Sequence, residues 1–279
     1  MTGFIFIIFS ALSHSLWNIL LKKSENKYAF NFYMHLVNIT FFTILYPIFF
    51  SDYLYMDYQI VLSAFVAALF FTGYHLAVST SYRYADVSLV YPITTSSPFF
   101  ILVWAVLFLK EDLTFVGVFG IIVTILGTIL LNKVKNEGFK LTKGVAYAFL
   151  AAFLYSFGAL VDKKGVSQGN FILYVYCMSF FMTSFLYLFS RKSGEIKFSN
   201  VKKDLKLVII GGVIVFASFT TYRYGLTMVE LSYATALRQI NVMFGAVLGM
   251  SLFGEKFTFN KLLGTFVIMI GVMLIKIGM

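Results

Sequence analysis

Charge is scarce in this sequence. Only 12% of its 279 residues are Asp, Glu, Lys or Arg, against about 25% in a typical soluble domain. Long polar stretches are missing too. The connections between apolar segments are short, such as 22–27, 132–143 and 191–206, so no soluble domain has room to fold. With 60% hydrophobic residues and a mean hydropathy of +0.87, water could not solvate the chain as a single globule. Lipid is therefore the expected solvent for most of it.

Cysteine is nearly absent. Cys177 is the single one and lies in an apolar segment, so no disulfide forms within the chain, and no Cys/His spacing suits a metal. HExxH, GxSxG and clustered carboxylates are absent, which leaves an intramembrane enzyme without its nucleophile–base pair or metal cluster. No enzyme activity, cofactor or bound metal is expected. The first apolar stretch has no positive lead-in and no small-x-small cleavage site, and reads as a retained helix. The formal charge of +10 does not point to nucleic acid, because no basic stripe or recognition element is present. The basic residues sit in short loops, where they set orientation and meet anionic headgroups.

What is present is a series of apolar runs. A spanning helix needs about 20 mostly apolar residues. Ten segments qualify: 3–21, 29–50, 59–80, 86–109, 113–131, 143–161, 170–190, 206–228, 231–253 and 258–278. They also repeat. Ser81-Tyr82-Arg83-Tyr84-Ala85 matches Thr221-Tyr222-Arg223-Tyr224-Gly225, a separation of 140. Glu111, Gly120 and Gly127 match Glu255, Gly264 and Gly271, a separation of 144. Ser15, Lys22 and Lys23 match Ser156, Lys163 and Lys164, a separation of 141. The chain reads as two copies of a five-helix unit, residues 1–135 and 140–279. Five is odd, so the second copy enters the membrane from the opposite side. The expected fold is an all-α integral membrane protein of ten transmembrane helices in two inverted five-helix repeats, a frequent plan for transporters.

Loop charge predicts orientation. Sixteen of the 22 Lys and Arg fall in the loops after segments 1, 3, 5, 7 and 9. Five, Lys110, Lys163, Lys164, Arg223 and Lys276, lie on the opposite face, and Arg238 lies within a segment. The bias places the first set of loops in the cytoplasm and both termini outside.

Three stretches resemble the EamA domains of the drug/metabolite transporter superfamily. One is Ala11-Leu-Ser-His14-Ser-Leu-Trp17-Asn18 with Lys22 and Lys23. The second is Tyr82-Arg83-Tyr84-Ala-Asp86-Val-Ser88-Leu-Val-Tyr91-Pro92-Ile. The third is the segment-ending Glu111 and Gly254-Glu255, each followed by an apolar segment with a late Gly127 or Gly271. The resemblance covers both copies. It implies ten helices, a central cavity between the halves, and movement of small metabolites or drugs, often amino acids and commonly outward. Members are mostly drawn with cytoplasmic termini, the reverse of the loop-charge reading here.

Polar groups within a bilayer are costly and usually face the protein interior or a water-filled cavity. In the first segment Ser10, His14, Trp17 and Asn18 recur on one helical face. The matching part of the sixth segment holds Tyr155 and Ser156. These side chains either line a substrate cavity or hydrogen-bond neighbouring helices. The fourth segment opens Tyr91-Pro92-Ile-Thr94-Thr95-Ser96-Ser97-Pro98. Two prolines predict a kinked or unwound helix whose freed carbonyls are met by hydroxyls, for substrate or for packing alone. Its repeat-mate carries Arg238, Gln239 and Asn241 instead. Arg238 falls about 10 Å into the helix at 1.5 Å per residue, where it snorkels or holds a carboxylate or phosphate. His35, Asn38 and His75 are secondary cavity candidates. Gly144, Ala148 and Ala152, and Gly245 and Gly249, are spaced for close helix packing.

No acid is expected mid-helix: Asp86, Glu111, Glu230 and Glu255 all fall at segment ends. Small multidrug pumps of the resembled superfamily use a glutamate in the first helix, where this chain offers His14. That argues against cationic-drug antiport. It leaves proton coupling through His14 or His75, another coupling ion, or uncoupled facilitation. The composite expectation is an alternating-access exporter of a small anionic or zwitterionic metabolite such as an amino acid, as monomer or homodimer in a bacterial inner membrane. Arg238 and the hydroxyls of Thr94, Thr95 and Ser96 would orient the polar end, and Trp17, Tyr91 and Tyr155 would pack the apolar part. The rival readings are an intramembrane lipid-modifying enzyme and a non-transporting membrane receptor.

Overall fold

The structure is a computed structural model that describes residues 1–53, 55–85, 93–131, 142–191, 196–253 and 258–279. Among the described residues the regular elements are all helical. We number the helices α1 (Thr2–Lys23), α2 (Lys27–Phe49), α3 (Tyr58–Tyr84), α4 (Ser97–Trp104), α5 (Phe115–Leu131), α6 (Lys143–Val166), α7 (Phe171–Ser190), α8 (Leu205–Leu226), α9 (Leu231–Arg238), α10 (Ile240–Phe253) and α11 (Phe259–Gly278). A π-helical turn, Ala105–Leu109, extends α4.

Among the described residues, six stretches are long and apolar enough to cross a membrane: Thr2–Leu21, Tyr28–Phe49, Tyr58–Val78, Lys143–Val166, Phe171–Ser190 and Leu205–Leu226. Ser97–Leu109, Phe115–Leu130 and Leu262–Gly278 are shorter apolar helices. The chain is a multi-pass helical membrane protein. Helix is the solution here because lipid offers no hydrogen bonds, so each backbone group must find its partner within the segment. Several buried hydroxyls obey the same rule. Thr124, Thr128 and Thr183 each donate to the carbonyl four residues back, at 2.9, 2.9 and 2.7 Å.

The repeat is visible in local geometry. Asn26 and Asn170, 144 apart, open α2 and α7, and each side chain accepts the backbone N–H three residues on at 2.9 Å. α5 and α11 are repeat-mates and pack through glycine. A Cβ on Gly120 would come within 2.7 Å of the Ile275 amide and 2.9 Å of the Gly271 carbonyl. One on Gly127 would come within 2.7 Å of the Ile268 amide and 3.0 Å of the Gly264 carbonyl. Position 120 thus faces 271 and 127 faces 264, so the two helices run antiparallel. Replacing each residue by its mate 144 away returns the same two contacts.

By contact, the chain divides into two compact units. One comprises Met1–Leu69 and Val161–Met228, the other Phe70–Leu160 and Val229–Met279. Each takes helices from both sequence copies. In the first unit α1 and α8 pack antiparallel. The Ser10 hydroxyl donates to the Ser218 carbonyl at 2.8 Å, and the Ser218 hydroxyl donates back to the Ser10 carbonyl at 3.2 Å. Further along, a Cβ on Gly225 would meet the Gly3 carbonyl at 3.0 Å. In the second unit α6 and α3 repeat that arrangement: a Cβ on Gly144 would meet the Ala85 amide at 2.9 Å. Residues 144 and 85 are the repeat-mates of 3 and 225.

Three expectations need correction. The segment 231–253 is not one helix but α9 and α10, interrupted at Gln239. α6 runs on to Val166 and takes in Asp162, which is 1% exposed, so a buried acid does lie within a helix. Arg223, counted as a loop cation, lies in α8 at 5% exposure. The packing stripe proposed for Gly144, Ala148 and Ala152 is buried, whereas nothing lies within 4 Å of a Cβ added at Gly245. The side-chain position of Gly249 lies outside the described residues.

Candidate functional site

The second unit holds two interrupted helices that are repeat-mates. On the first, the turn at Thr95–Ser96 precedes α4, and Pro98 sits in α4's opening turn, where its missing N–H costs nothing. The Ser96 hydroxyl donates to the Ile93 carbonyl at 2.7 Å, joining the Ser96 N–H, which donates to the same carbonyl at 3.1 Å. The second interruption is at Gln239, whose N–H donates to the Ala236 carbonyl at 3.0 Å, a three-residue turn that ends α9. Thr95 and Gln239 are 144 apart, the separation found for the paired glycines. They also meet: the Gln239 amide nitrogen donates to the Thr95 carbonyl at 3.4 Å.

Arg238 closes α9 beside this contact. It is half-buried, and its Nη1 donates to the Tyr155 hydroxyl at 3.4 Å. Tyr155, on α6, is itself held by aromatic rings. Its ring lies 5.1 Å from Tyr74 and 5.5 Å from Phe71 on α3, both edge-on, and Tyr74 lies 5.1 Å from His75. Next to Tyr155, the Ser156 hydroxyl accepts the Trp104 indole N–H at 3.1 Å. The arrangement offers a guanidinium, an amide and a broken-helix carbonyl at one place, backed by aromatic surface. The guanidinium can bind a carboxylate or other anion through charge-assisted hydrogen bonds.

The opposite end of α9 is anchored by an acid. Glu111 Oε1 accepts the Leu231 N–H at 2.5 Å and Oε2 accepts the Ser232 N–H at 3.1 Å. Burial pushes the Glu111 carboxyl above the usual carboxylate range, while these donors pull it down. The adjoining Lys110 takes the left-handed conformation, φ 55°, which ends the π turn and turns the chain toward Glu111.

The α1 candidates lie in the first unit. The Trp17 indole N–H donates to His14 Nδ1 at 3.3 Å, with the rings 4.9 Å apart and nearly perpendicular. Nδ1 is therefore an acceptor, and a proton there would compete with Trp17. Trp17 is buried, whereas Asn18 is exposed and its amide donates to the His14 carbonyl at 2.9 Å. The predicted residues thus fall into two groups. Thr94, Thr95, Ser96, Tyr155, Arg238, Gln239, Asn241 and His75 share the second unit, and His14, Trp17 and Asn18 share the first. Tyr91 and Pro92 lie outside the described residues, as do Asp86 and Glu255.

Sequence reasoning missed an ion pair in the first unit. Arg223 Nε donates to Asp162 Oδ1 at 2.9 Å, with side chains 5% and 1% exposed. Arg223 Nη1 reaches the Phe219 carbonyl at 3.4 Å, Nη2 lies 2.9 Å from the Met178 sulfur, and the guanidinium lies 4.9 Å from the Phe219 ring centre. The signal was present: Arg223 stood in a repeated motif, and Asp162 stood one residue past a segment end. Tyr74 and the capping role of Glu111 were also missed.

The sequence profile of the EamA-like transporter family matches residues 1–133 and again residues 142–277. The chain belongs to the EamA-like transporter family. Within this EamA-like chain the interruptions at Thr95–Ser96 and at Gln239 fall one in each matched stretch. No curated protein matches at a significant level. A crystal structure 14% identical in sequence superposes with a TM-score of 0.76, over 98% of this chain and 94% of that one. At that identity the likeness concerns the fold alone.

Proposed function

We propose that this chain is a secondary transporter that exports a small anionic or zwitterionic metabolite, such as an amino acid, by alternating access. The observation that carries this reading is the Arg238 guanidinium at the interrupted α9–α10 junction, beside the Gln239–Thr95 contact. Broken helices at repeat-related positions are where transporters place substrate groups. In the proposed site Arg238 binds the carboxylate or phosphate, and Thr94, Thr95, Ser96, Gln239 and Asn241 supply neutral hydrogen bonds. Tyr155, and Tyr91 beyond the described residues, pack the apolar part. His14 or His75 carries the coupling proton.

Ten spans in two inverted repeats frame this reading. The antiparallel α5–α11 contact between repeat-mates supports the inversion, because equivalent helices of inverted copies point in opposite directions. The proposed setting is a bacterial inner membrane, as a monomer or homodimer, with the carrier acting on its substrate without chemical change.

The reading is tested by thermal unfolding of the purified protein against a library of metabolites. A ligand that binds only the folded state raises the midpoint. The expected result is stabilisation by a few carboxylates or zwitterions, lost in Arg238→Gln. Stabilisation by organic cations alone, or equal stabilisation of both proteins, would overturn it.

A further inference from the structure

We infer that Glu111 is a positioning residue for Arg238, acting through α9; the inference rests on the reading of Arg238 as the substrate-binding cation. α9 is eight residues long and interrupted at its C-terminal end by Gln239. A helix that short does not hold itself together in isolation. Its first N–H groups have no partner within the helix, and two of them, at Leu231 and Ser232, are taken by the Glu111 carboxylate. A carboxylate at this end also meets the positive pole of the helix dipole.

The same connection grips α9 a second time. The Thr114 N–H donates to the Tyr233 hydroxyl at 3.0 Å, and a Cβ on Gly117 would overlap that hydroxyl. Residues 231–237 are all buried. α9 is thus a short rod, fixed at its first turn by Glu111 and Thr114 and carrying Arg238 in its last. At 1.5 Å per residue the two ends are about 10 Å apart. A shift of the capped end is carried along the rod to the guanidinium. Beyond Arg238 itself, the C-terminal end is tied by the Gln239–Thr95 contact at 3.4 Å, longer than either Glu111 bond. Glu111 therefore restrains where Arg238 stands from the far end of α9.

The test uses the full-length protein purified in detergent, as wild type, Glu111→Ala and Glu111→Gln. Hydrogen exchange is followed by mass spectrometry for peptides covering Leu231–Arg238, with α2 and α7 peptides as references. In parallel, Arg238 is modified with 4-hydroxyphenylglyoxal and its rate read from the modified peptide. In Glu111→Ala, exchange in α9 and modification of Arg238 both accelerate, about tenfold or more for loss of charge-assisted bonds, while α2 and α7 stay at wild-type rates. Glu111→Gln keeps one acceptor oxygen and gives intermediate values, and it carries the test if the alanine variant does not fold. Wild-type rates in both variants, or acceleration spread equally over α2 and α7, would overturn the inference. Neither readout uses substrate, so failure here leaves the transport reading standing, and failure of transport leaves this result intact.

Discussion

Removing the Asp162 carboxylate should cost more than any other single polar substitution in the first unit. In Asp162→Asn the side-chain volume is kept and the charge is lost. Arg223, 5% exposed, then keeps neutral neighbours such as the Phe219 carbonyl at 3.4 Å, the Met178 sulfur and the Phe219 ring. None of these carries a countercharge. Breaking a buried pair by removing one partner costs about 3–5 kcal/mol, because the remaining charge stays desolvated. Replacing both partners by apolar side chains of similar size removes that penalty, so Asp162→Leu/Arg223→Met should lie within about 1 kcal/mol of wild type. Unfolding in mixed micelles, followed by the fluorescence of Trp17 and Trp104, of wild type, Asp162→Leu, Arg223→Met and the double variant gives the four corners of a double-mutant cycle. The reasoning fails if Asp162→Asn unfolds within about 1 kcal/mol of wild type. It fails equally if the double variant loses the sum of the single losses.

His14→Gln keeps hydrogen-bonding ability and removes titration, so the variant should bind substrate yet lose acceleration by an imposed pH gradient; an unchanged gradient response ends the His14 proposal. Orientation follows from the loop cations: with Arg223 reassigned to the interior, only Lys110, Lys163, Lys164 and Lys276 remain on the face opposite the sixteen. A cysteine replacing Ser199, in a Cys177→Ala background, should resist an impermeant thiol reagent on intact cells, and ready labelling would reverse the topology. For Glu111, burial holds the folded pKa above the ordinary 4.5 even though the α9 donors favour the carboxylate, so the ionisation that the cap uses costs stability as pH rises through the folded pKa. Glu111→Gln removes this loss, and its thermal midpoint should gain on wild type as pH climbs through that window; parallel pH profiles would refute the assignment.

Much of this architecture was legible because lipid imposes simple rules. An apolar run must be helix, and a repeated pattern of Glu, Gly and Gly at a separation of 144 must place equivalent helices in equivalent surroundings. The Gly120–Gly271 and Gly127–Gly264 contacts follow from that repeat. The Pro92 and Pro98 pair forecast an interruption, and the described part of it lies at Thr95–Ser96. The matching interruption at Gln239 was not forecast, because no proline marks it and the break is held by side-chain contacts. Asp162 and Arg223 escaped for a different reason. Reading charges one at a time treats each as a cost and assigns it to a loop, whereas two opposite charges on different helices cancel only after the chain has folded. The Glu111 cap was hidden in the same way: its partners lie 120 and 121 residues along the chain.

The central claim is that this EamA-like chain moves an anionic or zwitterionic metabolite held by Arg238. Its most direct test is counterflow in proteoliposomes. Vesicles are preloaded with whichever metabolite stabilises the wild-type protein most, and uptake of the labelled compound is followed for wild type and Arg238→Gln. Wild-type vesicles should accumulate label transiently. Arg238→Gln vesicles should need about 10- to 150-fold more substrate for the same rate, the loss expected for one charge-assisted contact. Equal half-saturation in both proteins would contradict the role of Arg238, and no counterflow by folded wild-type protein for any stabilising metabolite would contradict transport itself.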